Sequence, residues 1–219
     1  MILAIDSATR WAGLALHDGT AVIAEHGWRC ANNHTIELSP AIEAMLGRAA
    51  LDPADLAAVA VAIGPGSYTG LRVGLALAKG LALANGLPLI GVPTLDIVAA
   101  SFGRRDEQLV VVAEAGRRRI TAAGYAWRGR WQLAWGPEND TWSELLPKIT
   151  EPTLFAGEIS VEAAKLIRQA GTHLQLERPS RSVRRAGCLA ELGWERLRKG
   201  DVDDTAVLAP VYMRDPAGK

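Results

Sequence analysis

The sequence predicts an α/β protein with two similarly organised halves, and three features of the chain lead to this prediction. Short apolar runs of strand length alternate with longer segments whose apolar residues recur at helical spacing. Residues 56–63 form a continuous apolar run, which is typical of a strand buried on both faces of a sheet. The order of the predicted elements, βββαβαβα, occurs once in each half, which indicates a duplicated domain.

The first predicted domain covers residues 1–102. Its strands are predicted at residues 2–7, 11–17, 21–28, 56–63 and 87–92, and its helices at residues 34–50, 69–84 and 94–100. The dipeptide Asp18-Gly19 is a hairpin signal between the second and third strands. Helix 34–50 follows from the spacing of Leu38, Ile42 and Met45, which lie on one helical face, and Asn32 or Asn33 can cap its start.

The second predicted domain covers residues 103–219, after a polar connector at residues 103–106. Its strands are predicted at residues 109–113, 119–127, 131–135, 153–156 and 173–176, and its helices at residues 142–149, 161–170 and 183–199. Arg128-Gly129-Arg130 forms the hairpin turn between two of these strands.

Composition and charge exclude several classes of protein. The 24 basic and 24 acidic residues balance, so net charge indicates neither nucleic acid nor membrane as a partner. Cys30 and Cys188 are too few and too far apart for a disulfide scaffold. The N-terminal apolar run ends at Asp6, and the most apolar stretch, residues 73–83, is too short to span a bilayer. We therefore expect a soluble cytoplasmic protein.

A glycine-rich segment, GPGSYTG, joins the buried strand at residues 56–63 to the next helix. Ser67 or Thr69 can cap that helix, and the free N–H groups of a helix start suit an anion. One interpretation is an anion or nucleotide loop, and the other is a capped turn required only for packing. The sequence is not a P-loop, because no Gly-Lys-Ser/Thr follows at the required spacing. The loop residues are Gly64, Gly66, Ser67, Tyr68, Thr69 and Gly70.

Asp6 also allows two interpretations. A carboxylate at a strand end can hold a hydrated metal or a phosphate-bound metal. It can equally accept hydrogen bonds from the turn that follows. No other carboxylate motif accompanies Asp6, which favours the second interpretation.

Helix 69–84 is apolar on all sides, with Arg72 and Lys79 as its charged residues. An amphipathic surface helix would have a polar stripe, whereas a helix that is apolar all round needs cover on every side. One face can pack on the sheet and helix 34–50 can cover part of the rest. A partner subunit is the expected cover for what remains.

Other constellations give weaker signals. The four histidines, His17, His26, His34 and His173, include no pair at metal-ligand spacing, so we expect no metal site and no catalytic residue. The basic runs at residues 117–119 and 178–185 can contact phosphates, although such runs are more often solvated surface.

Several segments resemble the bacterial TsaB (YeaZ) family. The specific match is GPGSYTGLRVGLALAKGLA, and ILAIDSATRWAGLAL is similar to the first two strands of that family. HTIELSP, GVPTLDIVAA and PVYMR resemble its first helix start, its next strand–helix step and its C-terminal end. The match is dense over the first hundred residues and sparse afterwards.

This resemblance implies a duplicated actin-like (ASKHA, ribonuclease-H-like) fold. It implies a non-catalytic scaffold subunit that pairs with the catalytic relative TsaD and the ATPase TsaE. That complex forms threonylcarbamoyladenosine beside the anticodon of tRNAs reading codons that begin with A. It further implies homodimers in isolation, indirect or weak tRNA contact and no cofactor of its own. An ATP or ADP with magnesium is expected, if anywhere, at the partner or the subunit junction.

The resemblance places the pairing surface on helices 34–50 and 69–84. The expected partner-binding residues are His34, Glu37, Leu38, Ala41, Ile42, Met45, Leu71, Arg72, Leu75, Ala78, Lys79 and Ala82. On this basis Leu38→Glu or Leu75→Glu is expected to abolish pairing and leave a folded monomer.

Two rival hypotheses stay open. An ATP-binding phosphotransferase or ATPase of the same fold would use Asp6 and the glycine loop on phosphates. A metallopeptidase is the other rival, and the spacing of the histidines argues against it.

Overall fold

Strand β1 (Ile2–Asp6) is buried along its whole length at the centre of the first sheet. In the computed structural model, which describes residues 1–30, 33–116 and 119–213, β1 pairs antiparallel with β2 (Trp11–His17) and parallel with β4 (Ala58–Gly64). The edges of the sheet are β3 (Val22–Arg29) and β5 (Leu89–Pro93). Among the described residues the strand order is β3-β2-β1-β4-β5.

Helices cover both faces of this sheet, which explains why β1 and β4 are continuously apolar. On one face, α1 (His34–Arg48) and α2 (Tyr68–Asn85) pack on Leu3 and Ile5. On the other face, α7 (Ala186–Arg198) packs on Ile2 and Ala4 through Leu189 and its neighbours. A strand with apolar side chains on both faces is buried only where both layers are present.

The second sheet repeats the topology of the first. Its strands are β6 (Gln108–Gly116), β7 (Arg119–Trp127), β8 (Trp131–Asp140), β9 (Thr153–Gly157) and β10 (Leu174–Leu176). In the described residues their order is β10-β9-β6-β7-β8, the reverse listing of the same arrangement, with β6 in the place of β1. The sequence prediction of a duplicated βββαβαβα order is therefore confirmed.

One helix of the second half differs from its prediction, and a further short helix is present. The predicted helix at residues 142–149 is α4 (Trp142–Leu145) followed by a 3-10 turn, Leu146–Lys148, with Pro147 near its start. Helix α5 (Val161–Ala170) has its predicted bounds. A short helix that the sequence analysis missed, α6 (Pro179–Ser182), begins at a proline. No helix among the described residues is long and apolar enough to cross a membrane.

The division into domains differs from the predicted boundary between residues 102 and 103. One compact unit comprises Met1–Ile97 together with Arg184–Val211, and the other comprises Val98–Val183 with the described residues after Val211. The first division falls inside the continuous helix α3 (Thr94–Ala100) rather than in the polar connector. The assignment of residues 184–211 to the second half was wrong, because α7 supplies the second cover of the first sheet.

Candidate protein-binding site

Helices α1 and α2 are the elements on which the sequence analysis placed the partner surface. Helix α1 follows Asn33, whose side chain makes no capping hydrogen bond, and the other candidate cap, Asn32, lies outside the described residues. At the start of α2, the Ser67 hydroxyl accepts a hydrogen bond from the Gly70 N–H, as predicted. Gly86 follows the last residue of α2 and adopts a left-handed conformation with φ of 63°.

Most of the predicted partner-binding side chains point into the protein. The buried ones are His34, Leu38, Ile42, Met45, Leu71, Leu75, Ala78 and Ala82. Six of them belong to the core beneath the two helices, and Leu71 belongs to the second buried cluster of the unit. His34 Nε2 donates a hydrogen bond to the Thr9 carbonyl at 2.9 Å. Seven of these side chains therefore offer little surface to a partner, and Ile42, although buried, lines a groove described below. Leu38→Glu and Leu75→Glu would place a charge in the core, so neither variant is expected to leave a folded monomer.

The outer faces of the same helices are exposed and partly apolar. Ile36 on α1 and Leu83 on α2 are each 72% exposed, and the small residues Ala44, Ala76 and Gly80 of the same helices are exposed as well. The sequence could not separate the two faces of α2, because both are apolar. The described structure assigns the inner face to the sheet and leaves the outer face to solvent.

Four of the predicted residues keep some exposure. Ala41 is half-buried, and Arg72 lies over the Tyr68 ring, 3.9 Å from its centre. The Lys79 ammonium donates to the Ala206 carbonyl at 3.4 Å. Glu37 accepts a hydrogen bond from the Trp28 indole at 2.7 Å, and this bond is the main cause of a lowered pKa for the Glu37 carboxyl.

A groove of about 330 Å³ lies between α1 and α2. Apolar side chains from both helices line it, among them Ile42, Leu46, Leu77 and Leu81, and Glu43 is on its wall. The unit therefore presents a concave apolar surface where the two helices face solvent.

The glycine loop packs against the turn that follows β1. A Cβ atom at Gly66 would lie 2.2 Å from the Ala8 carbonyl oxygen, and one at Gly70 would lie 2.2 Å from that of Ser7. Such distances exclude any side chain at these positions without a backbone shift. The glycines are therefore explained by close packing of α2 on the turn.

Three N–H groups of the loop donate hydrogen bonds within the chain. Gly64 donates to the Thr94 hydroxyl at 3.0 Å, Ser67 to the Ala8 carbonyl at 2.6 Å, and Gly70 to the Ser67 hydroxyl at 3.3 Å. An anion cradle needs several converging free donors. The geometry thus favours the packing interpretation of the loop over the ligand interpretation.

Asp6 is bound on both of its carboxylate oxygens. Oδ1 accepts from the Ala8 N–H at 2.9 Å, which is the turn hydrogen bond that the favoured interpretation expected. Oδ2 accepts from the Arg184 guanidinium at 2.7 Å, and both side chains are almost completely buried. Arg184 also donates to the Thr9 hydroxyl and the Trp11 carbonyl. A protein cation, the Arg184 guanidinium, therefore already pairs with the Asp6 carboxylate.

Three arginines of the 178–185 run take part in ion pairs. Arg184 pairs with Asp6, Arg185 with Glu25, and Arg181 lies 3.8 Å from Glu177. In the other run, Arg117 and Arg118 lie outside the described residues. No group of three His, Cys, Asp or Glu residues in the described parts of the chain could hold a metal ion.

The repeated sheet order and the helices on both faces of the first sheet define a duplicated α/β protein of the actin-like (ribonuclease-H-like) class. Structural similarity supports this class: YeaZ from Pseudomonas aeruginosa superposes with a TM-score of 0.78 at 22% identity, over 97% of this chain and 99% of that one. Residues 28–218 match the family described as TsaD, tRNA N6-adenosine threonylcarbamoyltransferase.

Two characterised relatives give the family more narrowly. The tRNA threonylcarbamoyladenosine biosynthesis protein TsaB of Bacillus subtilis is 31% identical over 97% of this chain and 93% of its own length. The Escherichia coli TsaB is 37% identical over 53% of this chain and 50% of its own length. The chain belongs to the TsaB (YeaZ) family, as the motifs in the sequence indicated.

Proposed function

We propose that this chain is the scaffold subunit of the complex that forms threonylcarbamoyladenosine in tRNA. In this role it binds the catalytic subunit TsaD through the outer faces of α1 and α2, and TsaE joins the pair. The product is the modified base beside the anticodon of tRNAs reading codons that begin with A. The observation that carries the proposal is the exposed apolar face of two adjacent helices in a member of the TsaB family.

The geometry around Asp6 supports a non-catalytic role. An ATPase or phosphotransferase would need the Asp6 carboxylate to hold a metal and the glycine loop to hold phosphates. In this chain Arg184 binds the Asp6 carboxylate, and the glycine loop packs against the turn at Ser7–Ala8. Any ATP or ADP with magnesium would then be held by the partner or at the subunit junction. Contact with tRNA would be indirect or weak, which agrees with the ion pairs of Arg181, Arg184 and Arg185.

The same surface accounts for the expected self-association. A large exposed apolar patch on a protein surface usually marks an interaction site. We propose that two copies cover each other through α1 and α2 when TsaD is absent, and that TsaD displaces the second copy.

The test substitutes exposed apolar residues of the outer face. Leu83→Glu and Ile36→Glu are expected to weaken TsaD binding at least about tenfold, because each places a charge at an interface that excludes water. The matched control is Val161→Glu, since Val161 on α5 is 70% exposed and lies in the other unit. Affinity is measured by calorimetry with purified TsaD, and folding by circular dichroism.

A second readout is the modified base itself. Cells depleted of their own TsaB are expected to regain threonylcarbamoyladenosine with the wild-type chain and with Val161→Glu, and to regain less with Leu83→Glu. Absence of TsaD binding by the wild-type chain, or failure to restore the base, would overturn the proposed function.

A further inference from the structure

The hairpin that joins β7 to β8 combines two arginines with two tryptophans. Arg128 and Arg130 flank Gly129 in the turn, and both are exposed. Trp127 and Trp131 are paired across the two strands where the turn begins, with their ring centres 5.5 Å apart in an edge-to-face arrangement. The Arg128 N–H donates to the Arg130 carbonyl at 2.8 Å and closes the turn. The tip of this hairpin therefore presents cations beside aromatic rings on an ordered turn.

Trp131 attaches the tip to the rest of its unit. Its indole N–H donates to the Phe102 carbonyl at 3.0 Å. The guanidinium of Arg181 lies over the Phe102 ring, 5.7 Å from its centre, and the Arg181 side chain is about half exposed. All of these residues belong to the unit that contains Val98–Val183. A third cation therefore contacts the residue to which the hairpin is attached.

The positive charge of this surface is concentrated at the tip. Residues 119–137, which include β7, the turn and most of β8, contain three arginines and no aspartate or glutamate. Near Phe102 the balance is different, because Glu177 pairs with Arg105 at 3.2 Å and with Arg181 at 3.8 Å. Arg128 and Arg130 are thus the residues that give the hairpin tip its charge.

This combination of side chains matches the chemistry of RNA. Arginine binds phosphate oxygens through its planar, forked set of donors, and each such contact displaces a counterion from the nucleic acid. Aromatic rings stack on unpaired bases, whichever base is present. An acidic peptide would use the arginines and leave the two indoles without a role.

We infer that the tip of the β7–β8 hairpin makes direct, weak contact with tRNA, with Arg128 and Arg130 on phosphates and an indole of the Trp127–Trp131 pair against an unpaired base. The inference rests on the proposed function, because tRNA is the substrate of the complex in which that proposal places this chain. Two phosphate contacts and one stacked base are a small footprint, so the contact adds to binding by the complex and does not replace it.

The charge of the tip is tested with the double variant Arg128→Gln/Arg130→Gln. A fluorescein-labelled, unmodified tRNA transcript is titrated with the complex of this chain and TsaD, and anisotropy gives the Kd between 50 and about 200 mM salt. The Kd is expected to rise about tenfold at the lowest salt. The slope of log K against log salt is expected to fall by roughly 1.4 to 1.8, because each phosphate contact contributes about 0.7 to 0.9.

The matched control removes the same charge from another part of the unit. Lys165 and Arg168 are exposed on α5, which packs beside β10 at the edge of the sheet opposite β8. Lys165→Gln/Arg168→Gln is expected to stay within about twofold of the wild-type Kd, since non-specific attraction at a distance is screened by salt. Circular dichroism melts verify that both double variants are folded.

The aromatic part of the inference is tested with Trp127→Leu, which keeps an apolar side chain and removes the ring. The loss of one stacked base is expected to raise the Kd about fivefold at every salt concentration and to leave the slope unchanged. Trp127→Phe keeps an aromatic ring and is expected to recover most of the affinity. A purely structural role of Trp127 would not distinguish leucine from phenylalanine in this way once their melting curves coincide.

The outcomes separate the inference from the proposed function. An unchanged Kd and slope in Arg128→Gln/Arg130→Gln, or an equal loss in the α5 control, would overturn the inference. A parallel loss of TsaD affinity in the arginine variant would assign the tip to a protein interface and also overturn it. Loss of binding to phosphatidylglycerol vesicles with unchanged tRNA affinity would assign the tip to a membrane surface, with the same result. Failure of the wild-type chain to bind TsaD would contradict the proposed function instead, and titration of the isolated chain with the transcript would still test the tip.

Discussion

The buried ion pair between Arg184 and Asp6 offers the most quantitative test of how this chain is held together. Arg184 lies just before α7 and reaches β1 and the turn after it, donating to Asp6 Oδ2 at 2.7 Å, Thr9 Oγ1 at 2.7 Å and the Trp11 carbonyl at 2.9 Å. The perturbation is Arg184→Met, which keeps much of the side-chain length and removes every donor.

The expected magnitude follows from burial. Without Arg184, the Asp6 carboxylate keeps its bond from Ala8 but stays in the interior with no opposing charge. Breaking one side of a buried pair costs about 3–5 kcal/mol, a large part of the total stability of about 5–15 kcal/mol. Asp6→Asn in the Arg184→Met background removes the uncompensated charge, so we expect the double variant to be more stable than Arg184→Met alone.

The neighbouring residue provides the control. Arg185 pairs with Glu25, but its side chain is 58% exposed to solvent, so Arg185→Met is expected to cost at most about 1 kcal/mol. Urea unfolding of the four proteins, followed by circular dichroism, gives the free energies. Equal small losses for Arg184→Met and Arg185→Met would refute the reasoning that burial of the Asp6 pair determines its contribution.

Two further predictions concern the glycine loop and a partly buried thiol. Gly70→Ala is expected to destabilise the protein by about 1–3 kcal/mol, because its Cβ would meet the Ser7 carbonyl oxygen. Gly80→Ala, in open space on α2, is expected to stabilise it by up to about 1 kcal/mol. Thermal melts that rank these variants the other way would contradict the packing interpretation of the loop. Burial raises the pKa of the Cys188 thiol to about 11, so iodoacetamide at pH 8 is expected to alkylate Cys188 far more slowly in the native protein than in urea, as read by mass spectrometry. Because the raised pKa favours the protonated thiol in the folded state, the corresponding stability is present below the unfolded pKa of about 8.5 and is lost as the pH rises towards 11; comparable alkylation rates in both states would contradict this.

The sequence was sufficient for the fold because its strongest signals are local. Continuous apolar runs such as β4 need cover on both faces, and hairpin and cap signals such as Asp18-Gly19 and Ser67 set element boundaries to within a few residues. Local sequence signals did not show which helix covers the second face of the first sheet. Helix α7 follows the second sheet in the chain but packs on the first, and no periodicity in residues 186–198 indicates which sheet it meets.

The candidate site was predicted at the level of helices and not of side chains. A helix that is apolar all round carries no information on which face meets the sheet, so the residues with the clearest periodicity, such as Leu38 and Leu75, were taken for the surface and proved to be core. Signals for the outer face did exist. Gly47 and Gly80 are glycines within helices whose packing does not require them, and both lie on exposed positions.

The turn after β1 explains how a site with the form of a ligand loop can serve a protein interface instead. Residues at or near the starts of three helices contact this turn or the end of β1. The Thr9 carbonyl bonds to His34 of α1 at 2.9 Å, and the Ser7 hydroxyl donates to the Gly70 carbonyl of α2 at 2.8 Å. Arg184, just before α7, binds Asp6.

These contacts fix the starts of α1 and α2 to the same short turn, Ser7–Thr9. The two helices that flank the groove are thus positioned within the unit before any partner arrives. A surface that is already ordered loses little conformational entropy on binding, so more of the apolar contact appears as affinity. A turn whose polar groups are occupied by its own chain is poorly suited to hold a nucleotide, and for the same reason it is well suited to hold two helices in a constant relation for a partner to recognise.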